Sequence, residues 1–331
     1  MRILVFEFIT GGGFSQQSLP DSLVQEGELM RVALLLDLLE IPAIEIRLLH
    51  DQRLPLNKSL LENQLIEIIP VAARQDFWQI LAEQASWSDA VWPIAPESEG
   101  VLAAISHWVQ YSGLKLLGSS SEAVALTADK YRLYKHLDYY GVPVVKSYTC
   151  EELSLLPSGP WILKPRDGVG CEGVCKINLK ADFKSLKNAE KFIIQPFEQG
   201  KSLSLSCLFM DGQGLLLCIN EQWIKQAEGA FSLARITVNV GQEAADFTRL
   251  VAQVAKVVPG LWGYVGIDLI VGEAGFKVLE INPRLTTSYA GIRAALGGNL
   301  GASIVAMLTG AMNYTAQYDQ SVIVEIPQEE K

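Results

Sequence analysis

Apolar and polar positions in the first third of the chain follow two alternating periods. The apolar runs that are typical of strands cover residues 2–8, 42–49, 65–71, 89–95 and 114–118. The segments that have the spacing of amphipathic helices cover residues 23–40, 75–85 and 102–113. Strands that alternate with helices predict a parallel sheet with flanking helices. We therefore expect residues 1–118 to form an α/β lobe.

The pattern changes after this lobe. Helices are expected near residues 129–141, 242–257 and 297–310. A strand, a glycine-rich loop and a second strand are expected within residues 161–177, and from there on most apolar runs are typical of strands. This arrangement predicts an α+β fold. We divide it into two further domains, residues 119–191 and residues 192–331.

The composition restricts the class of protein. The chain has 331 residues, of which 49% are apolar and 19% charged, as expected for a globular protein with more than one core. Its 27 basic and 37 acidic side chains give a net charge of −10, which argues against a nucleic-acid or anionic-membrane surface. With no signal-peptide pattern and no apolar stretch of about 18 residues, the sequence predicts a soluble, cytoplasmic protein. A homodimer is left open.

Three oxygen-bearing side chains interrupt the apolar runs in GYVGIDLIVGEAGFKVLEINPRL. Asp268 lies within the first run, whereas Glu280 and Asn282 share one face of the second, and a hairpin would place Asp268 beside them. Oxygen ligands without Cys or His suit Mg²⁺ or Mn²⁺ bound jointly with nucleotide phosphates. Arg284 continues the same face. The alternative is an Asp–Arg salt bridge with an Asn turn.

A glycine-rich loop follows an apolar strand in LKPRDGVGCEGV. Gly168, Gly170 and Gly173 free the backbone to fold over a ligand, and the N–H groups of such a loop suit phosphate oxygens. Lys164, at the end of the strand, is a candidate for binding the same phosphates. The alternative is a hairpin turn with a surface lysine. The loop lacks the Gly-Lys-Ser/Thr ending of a Walker loop and opens no helix, so a P-loop is excluded.

Two further segments carry candidate ligands for a nucleotide. Lys130 begins a helix, whose N-terminal N–H groups and positive dipole end favour an anion; alternatively it is a solvated surface lysine. The segment FIIQPFEQG is a strand whose backbone groups would bind an adenine. Its Gln195 and Phe197 add an amide and an aromatic ring, and Glu198 would lie near a ribose.

The chain resembles the ATP-grasp superfamily over its whole length. The resemblance is carried by the order of five features: Lys130, Lys164 with its glycine loop, IIQPFEQG, Asp268 and EINPR. The resemblance implies an α/β lobe that carries part of the substrate site, followed by an α+β ATP-grasp fold of two subdomains that hold ATP between them. It also implies that Lys130 and Lys164 contact phosphates, that residues 195–198 hold adenosine, and that Asp268, Glu280 and Asn282 bind Mg²⁺ or Mn²⁺. The family commonly has an acid where Gln195 stands.

A narrower resemblance is carried by VFEFITGGGF, LVQEGELM, PIAPESEGVL, LGSSSEAVALTADKYRLY, GKSLSLS and EINPRLTTS. These segments are similar to the archaeal tyramine–glutamate ligases of methanofuran synthesis, and a methylofuran pathway would use the same step. The resemblance implies a small-molecule carboxylate and a small-molecule amine as substrates. ATP would phosphorylate the γ-carboxyl group of glutamate, and tyramine would attack the acyl phosphate to form an amide. Lys164 and Arg284 would neutralise the transferred phosphoryl group.

The amine of such a substrate is almost wholly protonated at neutral pH, like a lysine with a pKa of about 10.4. It needs a carboxylate to orient it and a route for its proton. Glu7 ends the first strand and Glu97 follows the fourth, and parallel strands joined by right-handed crossovers end on one side of a sheet. We therefore expect both acids to face one cleft. The alternative is that either of them caps a turn.

Three other functions are compatible with parts of the sequence. The first is an ATP-grasp ligase that joins another acid and amine. The second is a nucleotide-binding module without turnover, against which the intact lysines and oxygen ligands argue. The third, a nicotinamide-dependent oxidoreductase, is weak because TGGGF lacks the dinucleotide-binding spacing followed by a helix.

Overall fold

The N-terminal lobe is built on a five-stranded sheet. The computed structural model describes residues 1–56, 63–168, 173–177, 187–227, 229–241 and 244–326. The strands of the lobe are β1 (Arg2–Glu7), β2 (Glu45–Asp51), β3 (Ile66–Val71), β4 (Ala90–Ile94) and β5 (Lys115–Leu116). They pair in the order β3-β2-β1-β4-β5, and every pair is parallel. The predicted parallel α/β lobe is confirmed.

Helices cover both faces of this sheet. They are α1 (Asp21–Leu39), α2 (Phe77–Ala85) and α3 (Val101–Tyr111). Leu34 of α1 packs with Ile3 in one core, and Leu81 of α2 packs with Leu4 in another. Because both faces of β1 are buried, its sequence is a nearly continuous apolar run. Within the described ranges, no helix has the length and apolar character needed to cross a membrane.

The rest of the chain forms a nine-stranded sheet. Its path is β13-β12-β9-β10-β11-β7-β6-β8, and β14 pairs with β11 beside this path. The strands are β6 (Trp161–Pro165), β7 (Cys175–Ile177), β8 (Phe192–Pro196), β9 (Lys201–Met210), β10 (Gln213–Ala227), β11 (Ala230–Val238), β12 (Gly263–Gly272), β13 (Gly275–Asn282) and β14 (Val322–Glu325). The predicted α+β fold is confirmed.

One short segment holds the two ends of this sheet together. Val145 N–H donates to the Val278 carbonyl of β13 at 3.0 Å, and Tyr148 exchanges two backbone hydrogen bonds of 2.9 Å with Ile194 of β8. Three residues of chain span at most about 11 Å. The edge strands β13 and β8 therefore lie close to one another although seven steps of pairing separate them along the path.

In the described ranges, five helices accompany this sheet. They are α4 (Ser121–Ala128), α5 (Lys130–Tyr139), α6 (Ala245–Val257), α7 (Tyr289–Leu296) and α8 (Leu300–Met307). The predicted helices near 129–141, 242–257 and 297–310 correspond to α5, α6 and α8. The sequence analysis did not single out α4 or α7, which have eight residues each.

A buried carboxylate fastens the lobe to the C-terminal helices. Asp37, in α1, is 2% exposed. Its Oδ2 accepts hydrogen bonds from the Tyr289 hydroxyl at 2.6 Å and the Gly301 N–H at 3.1 Å, and its Oδ1 accepts one from Arg293 at 3.2 Å. Burial raises the pKa of Asp37, and these donors oppose that rise. Since α1 also shares an apolar core with α7 and α8, the lobe and these helices form one packed unit.

We expect Asp37→Ala to lower the free energy of unfolding by about 3 kcal/mol, because a buried hydroxyl and a buried N–H lose their acceptor. Urea denaturation measures this change. The matched control is Glu83→Ala, which removes an exposed acid from α2 and should cost less than about 0.5 kcal/mol. Equal costs for the two variants would show that Asp37 does not fasten the lobe.

Candidate active site

Two carboxylates face each other across the β12–β13 hairpin. Asp268 is directly opposite Glu280 in the antiparallel register, and Gly266 is opposite Asn282. The register shifts at Leu279, and such a bulge re-aims the side chains that follow it. Asn282 Nδ2 donates a hydrogen bond to Asp268 Oδ2 at 3.1 Å. The prediction that a hairpin places Asp268 beside Glu280 and Asn282 is confirmed.

A second amide holds the other oxygen of Asp268. Gln222 Nε2, on β10, donates to Asp268 Oδ1 at 3.1 Å. The Ser202 hydroxyl, on β9, donates to Gln222 Oε1 at 2.8 Å, which fixes the side of the amide that faces Asp268. Both oxygens of this carboxylate are therefore oriented by amides, and the orientation is set by three neighbouring strands.

Two lysines approach the carboxylates from other elements. Lys130, at the first position of α5, lies with its Nζ 3.3 Å from Glu280 Oε2 and also donates to the Gly168 carbonyl. Lys164 lies on β6 and is 6% exposed. Its charge acts on Glu280 together with that of Lys130. Neither lysine is on the solvated surface, so the surface alternative does not hold for either.

The pKa values of the two carboxylates are shifted in opposite directions. Burial raises the pKa of Asp268 well above its usual range, and the negative charge of Glu280 raises it further. Burial acts on Glu280 in the same direction, but the ammonium groups of Lys130 and Lys164 outweigh it, so the pKa of Glu280 lies below its usual value. The site therefore has one firmly ionised carboxylate next to one whose charge is disfavoured.

The donor set fits a hard divalent cation. Two carboxylates and an amide supply oxygen ligands, and a cation between Asp268 and Glu280 would remove their mutual repulsion. In the described part of the chain, no group of three or more His, Cys, Asp or Glu is arranged to hold a metal ion. A cation held by Asp268, Glu280 and Asn282 would thus take its other ligands from phosphates and water, as Mg²⁺ usually does.

Two glycines of the predicted loop pack against Pro165. A Cβ added at Gly168 would lie 3.0 Å from Pro165 Cβ, and one at Gly173 would lie 3.0 Å from Pro165 Cγ. Gly173 also has a φ of +69°, which disfavours any other residue. Gly170 lies outside the described residues, and its place in a phosphate-binding loop stays a prediction.

The start of the glycine loop is tied to both parts of the molecule. Arg166 forms an ion pair of 2.6 Å with Asp129, next to Lys130. Asp167 Oδ2 accepts a hydrogen bond of 3.1 Å from the N–H of Glu99, which belongs to the loop that follows β4. The loop that carries the phosphate candidates is therefore in contact with the lobe that carries the substrate candidates.

The segment proposed to hold adenosine lies at the β8 edge of the sheet. Gln195 is 4% exposed, and its Nε2 donates to the Ser147 hydroxyl at 2.9 Å. The N–H of Phe197 donates to the Pro160 carbonyl at 3.0 Å. Glu198 forms an ion pair of 2.6 Å with Lys277 of β13. These contacts place the segment across from β13, but they occupy the polar groups of Gln195 and Glu198, so nucleotide contacts at 195–198 stay a prediction.

An ion pair links the lobe to the residues after β13. Arg284 donates from Nε and Nη2, each at 3.0 Å, to Oε2 of Glu97, which is 5% exposed. Arg284 Nη1 donates to the Leu285 carbonyl at 3.0 Å. Burial lowers the pKa of the guanidinium, but Glu97, Glu26 and Glu280 outweigh it, so the pKa is raised. Arg284 therefore ties Glu97 of the lobe to the chain two residues after Asn282, the last residue of β13.

Glu7 does not face an open cleft, and the structure corrects that expectation. Its Oε2 accepts hydrogen bonds from the Thr10 N–H and hydroxyl, each at 2.6 Å, and its Oε1 accepts one from the Ile9 N–H at 3.2 Å. Glu7 is 2% exposed. The expected strand geometry does hold, since β1 and β4 are parallel neighbours. The carboxylate nevertheless turns back on its own loop, which matches the alternative of a turn cap.

The sequence analysis missed a row of serines on β9 that supports the side chains of the site through hydrogen bonds. Ser202, Ser204 and Ser206 alternate along β9, and a period of two places them on one face. Ser202 reaches Asp268 through Gln222, whereas Ser206 exchanges a hydrogen bond of 2.9 Å with Tyr264. The alternation in KSLSLS is the signal that would have revealed this polar face.

Comparisons with known proteins agree with this geometry. A family model described as an ATP-grasp domain matches residues 127–288, and one described as a pre ATP-grasp 3 domain matches residues 44–124. The tyramine–L-glutamate ligase of Methanocaldococcus jannaschii is 29% identical over 297 residues, which cover 88% of this chain and 84% of that protein. The enzyme of the same name from Methanocaldococcus fervens is 30% identical over 293 residues, which cover 88% and 89% of the two chains.

Solved structures of other proteins have a similar fold. An ATP-grasp superfamily protein from Archaeoglobus fulgidus has a TM-score of 0.71 at 25% identity, with 98% of this chain and 92% of that chain covered. An L-amino acid ligase from Bacillus licheniformis has a TM-score of 0.62 at 13% identity, with 92% and 73% covered, and shows the fold alone. The alternative of a module without turnover is thereby excluded. The chain belongs to the ATP-grasp superfamily and is an ATP-dependent ligase.

Proposed function

We propose that this ligase joins L-glutamate to tyramine and forms γ-glutamyltyramine, a step in the synthesis of a methanofuran- or methylofuran-type cofactor. The named relatives, at about 30% identity over 88% of the chain, support this substrate pair. The observation that carries the reaction type is the position of Arg284. It pairs with Glu97 of the lobe at 3.0 Å and lies two residues after the end of β13, the strand that carries Glu280, where a phosphoryl group would be transferred.

The nucleotide side of the site neutralises phosphate. Lys130 and Lys164 supply two ammonium groups beside Glu280 and would bind phosphate oxygens of ATP. Mg²⁺ or Mn²⁺ bound by Asp268, Glu280 and Asn282 would add charge neutralisation at the phosphates. The main chain of residues 195–198 would contact the adenine at the β8 edge.

The acceptor side of the site binds the carboxylate that receives the phosphoryl group. A guanidinium has five N–H donors. Among the described residues, Glu97 and the Leu285 carbonyl take three of the donors of Arg284. Two donors are left for the γ-carboxylate of glutamate and then for the acyl phosphate, where they would stabilise the charge that develops during transfer. Glu97 would fix the orientation of the guanidinium for this role.

Product analysis tests the substrate assignment. We expect the purified enzyme to release ADP only when ATP, a divalent cation, L-glutamate and tyramine are all present, and mass spectrometry should find one amide product. Fragmentation of the product separates the γ-amide from the α-amide. ADP release with another acid and amine, and none with this pair, would establish the alternative of an ATP-grasp ligase with other substrates. Whether the enzyme is a homodimer stays open.

The first variant tests the metal ligands. We expect Glu280→Gln to lower kcat by at least about two orders of magnitude, because a charged ligand beside the transferred phosphoryl group is lost. Mn²⁺ binding, measured by electron paramagnetic resonance in the presence of a non-hydrolysable ATP analogue, should weaken in parallel. Glu273→Gln removes an exposed acid from the turn of the same hairpin and should change neither quantity. Unchanged Mn²⁺ affinity in Glu280→Gln would contradict the metal assignment.

The second variant tests the phosphate contact. Lys164→Met keeps the apolar stem of the side chain and removes its charge, so ATP binding should weaken by roughly tenfold or more, about 1.4 kcal/mol. Calorimetric titration with the ATP analogue measures the affinity. Lys115→Met, at an exposed position of β5, is the matched control. If both variants bind ATP as the wild type does, Lys164 has only a structural role.

A further inference from the structure

The proposed reaction needs a carboxylate that can reach an ammonium group. Three acids of the N-terminal lobe are candidates: Glu7, Glu26 and Glu97. A carboxylate serves this purpose only when an oxygen is accessible and its negative charge is not already matched by a fixed cation. These two conditions separate the three acids.

Glu7 and Glu97 fail the first condition. Both oxygens of Glu7 accept hydrogen bonds from the turn at Ile9 and Thr10. Oε2 of Glu97 accepts two hydrogen bonds from Arg284, and its Oε1 is buried from solvent without a partner among the described residues. Neither carboxylate therefore has an unpaired oxygen that is open to solvent.

Glu26 meets it. This residue lies in the first half of α1, and its side chain is partly exposed. Its Oε2 accepts a hydrogen bond of 2.8 Å from the hydroxyl of Thr287, three residues after Arg284. No described residue donates a hydrogen bond to its Oε1. Thr287 therefore holds the carboxylate of Glu26 beside the segment that follows β13, while Oε1 stays available.

The local charges meet the second condition. Arg284 forms an ion pair of 3.0 Å with Glu97, whereas Glu26 forms no ion pair with any described residue. The charge of Glu280 is matched separately, by Lys130 and Lys164. One negative charge is therefore in excess beside Arg284, and an ammonium group would balance it.

The backbone brings Glu26 to this place. A Cβ added at Gly27 would lie 2.8 Å from the carboxyl carbon of Glu7, so only glycine lets α1 pack this closely on the end of β1. The adjacent residue, Glu26, is thereby carried to the loop that contains Thr287. The segment QEG in α1 therefore places the acid Glu26 beside Thr287, because Gly27 allows the close packing on β1.

We propose that Glu26 binds the ammonium group of the amine substrate, an inference that rests on the proposed ligase function. Oε1 of Glu26 accepts one proton from the ammonium group, and the freed lone pair forms the C–N bond to the acyl carbon. The C–O bond to phosphate breaks, and the departing phosphate takes the second proton from nitrogen. In this assignment Glu97 holds Arg284 and Glu26 receives the amine.

Steady-state kinetics with the complete enzyme test this assignment. Glu26→Gln keeps an acceptor for the Thr287 hydroxyl and removes the charge. We expect its KM for tyramine to rise by roughly tenfold or more, about 1.4 kcal/mol, while the KM values for ATP and glutamate change less than about twofold. Tyrosol, the alcohol that has a hydroxyl in place of the ammonium group, serves as a competitive inhibitor without charge. Its inhibition constant should change less than about twofold.

Three comparisons decide the outcome. Asp21→Asn removes an exposed acid from the first turn of the same helix and should leave all KM values unchanged. Thr287→Val should raise the KM for tyramine selectively, by less than Glu26→Gln does. An unchanged KM for tyramine in Glu26→Gln, an equal loss of tyrosol binding, or a selective effect of Glu97→Gln alone would overturn the assignment.

One further outcome would contradict the proposed substrates and leave the role of Glu26 to be tested separately. If the wild-type enzyme forms no amide from tyramine and glutamate, the substrate pair is wrong. The same variants are then compared with the pair that does release ADP. A selective rise in the KM of that amine in Glu26→Gln would support the role of Glu26, and no rise would overturn it.

Discussion

The mutual repulsion of Asp268 and Glu280 is the constraint on which the arrangement of this molecule depends. Two desolvated carboxylates directly opposite each other on neighbouring strands are costly unless cations lie beside them. Lys130 and Lys164 supply that charge from α5 and β6, which are distant from β13 along the sheet path. The lysines reach the hairpin because the segment from Val145 to Tyr148 holds both end strands of the sheet. The charge of the two carboxylates is therefore balanced only because the two end strands of the sheet are held close together.

Arg284 extends this balance to the N-terminal lobe. Its guanidinium is fixed by Glu97 and lies in the field of both Glu26 and Glu280, so it couples the acceptor side of the site to the nucleotide side. The lobe cannot move freely with respect to this contact, because Asp37 and its three donors fasten α1 to the C-terminal helices. Glu26, which lies on α1, is therefore held in place beside Thr287 by this packing. Such pre-organisation is what transfer of a phosphoryl group to a carboxylate demands.

A polar sheet face lies beneath the reacting groups. The serines of β9 bond to side chains of β10 and β12, so that one row of hydroxyl groups orients Asp268 through Gln222 and Thr286 through Tyr264. Gly266 lies within this row without a side chain, because a Cβ there would be 2.7 Å from Thr286 Cγ2. Buried hydroxyls and amides are tolerated only when each finds a partner. The network meets that condition and thereby supports both Asp268 and Thr286.

The sequence by itself determined the features that local spacing encodes. Period-two and helical patterns gave the parallel lobe and the α+β region, and the separation of Asp268 from Glu280 and Asn282 was enough to predict their meeting across a hairpin. The sequence could not assign the acids of the lobe. Glu7 and Glu97 end neighbouring elements as expected, yet one bonds to its own turn and the other to Arg284, which is 187 residues away. The accessibility of Glu26 depends on Thr287, 261 residues away, and on the close packing of Gly27. Only the tertiary structure decides such contacts, because a carboxylate bonds to whichever donor the fold brings near it, and chain spacing carries no record of that donor.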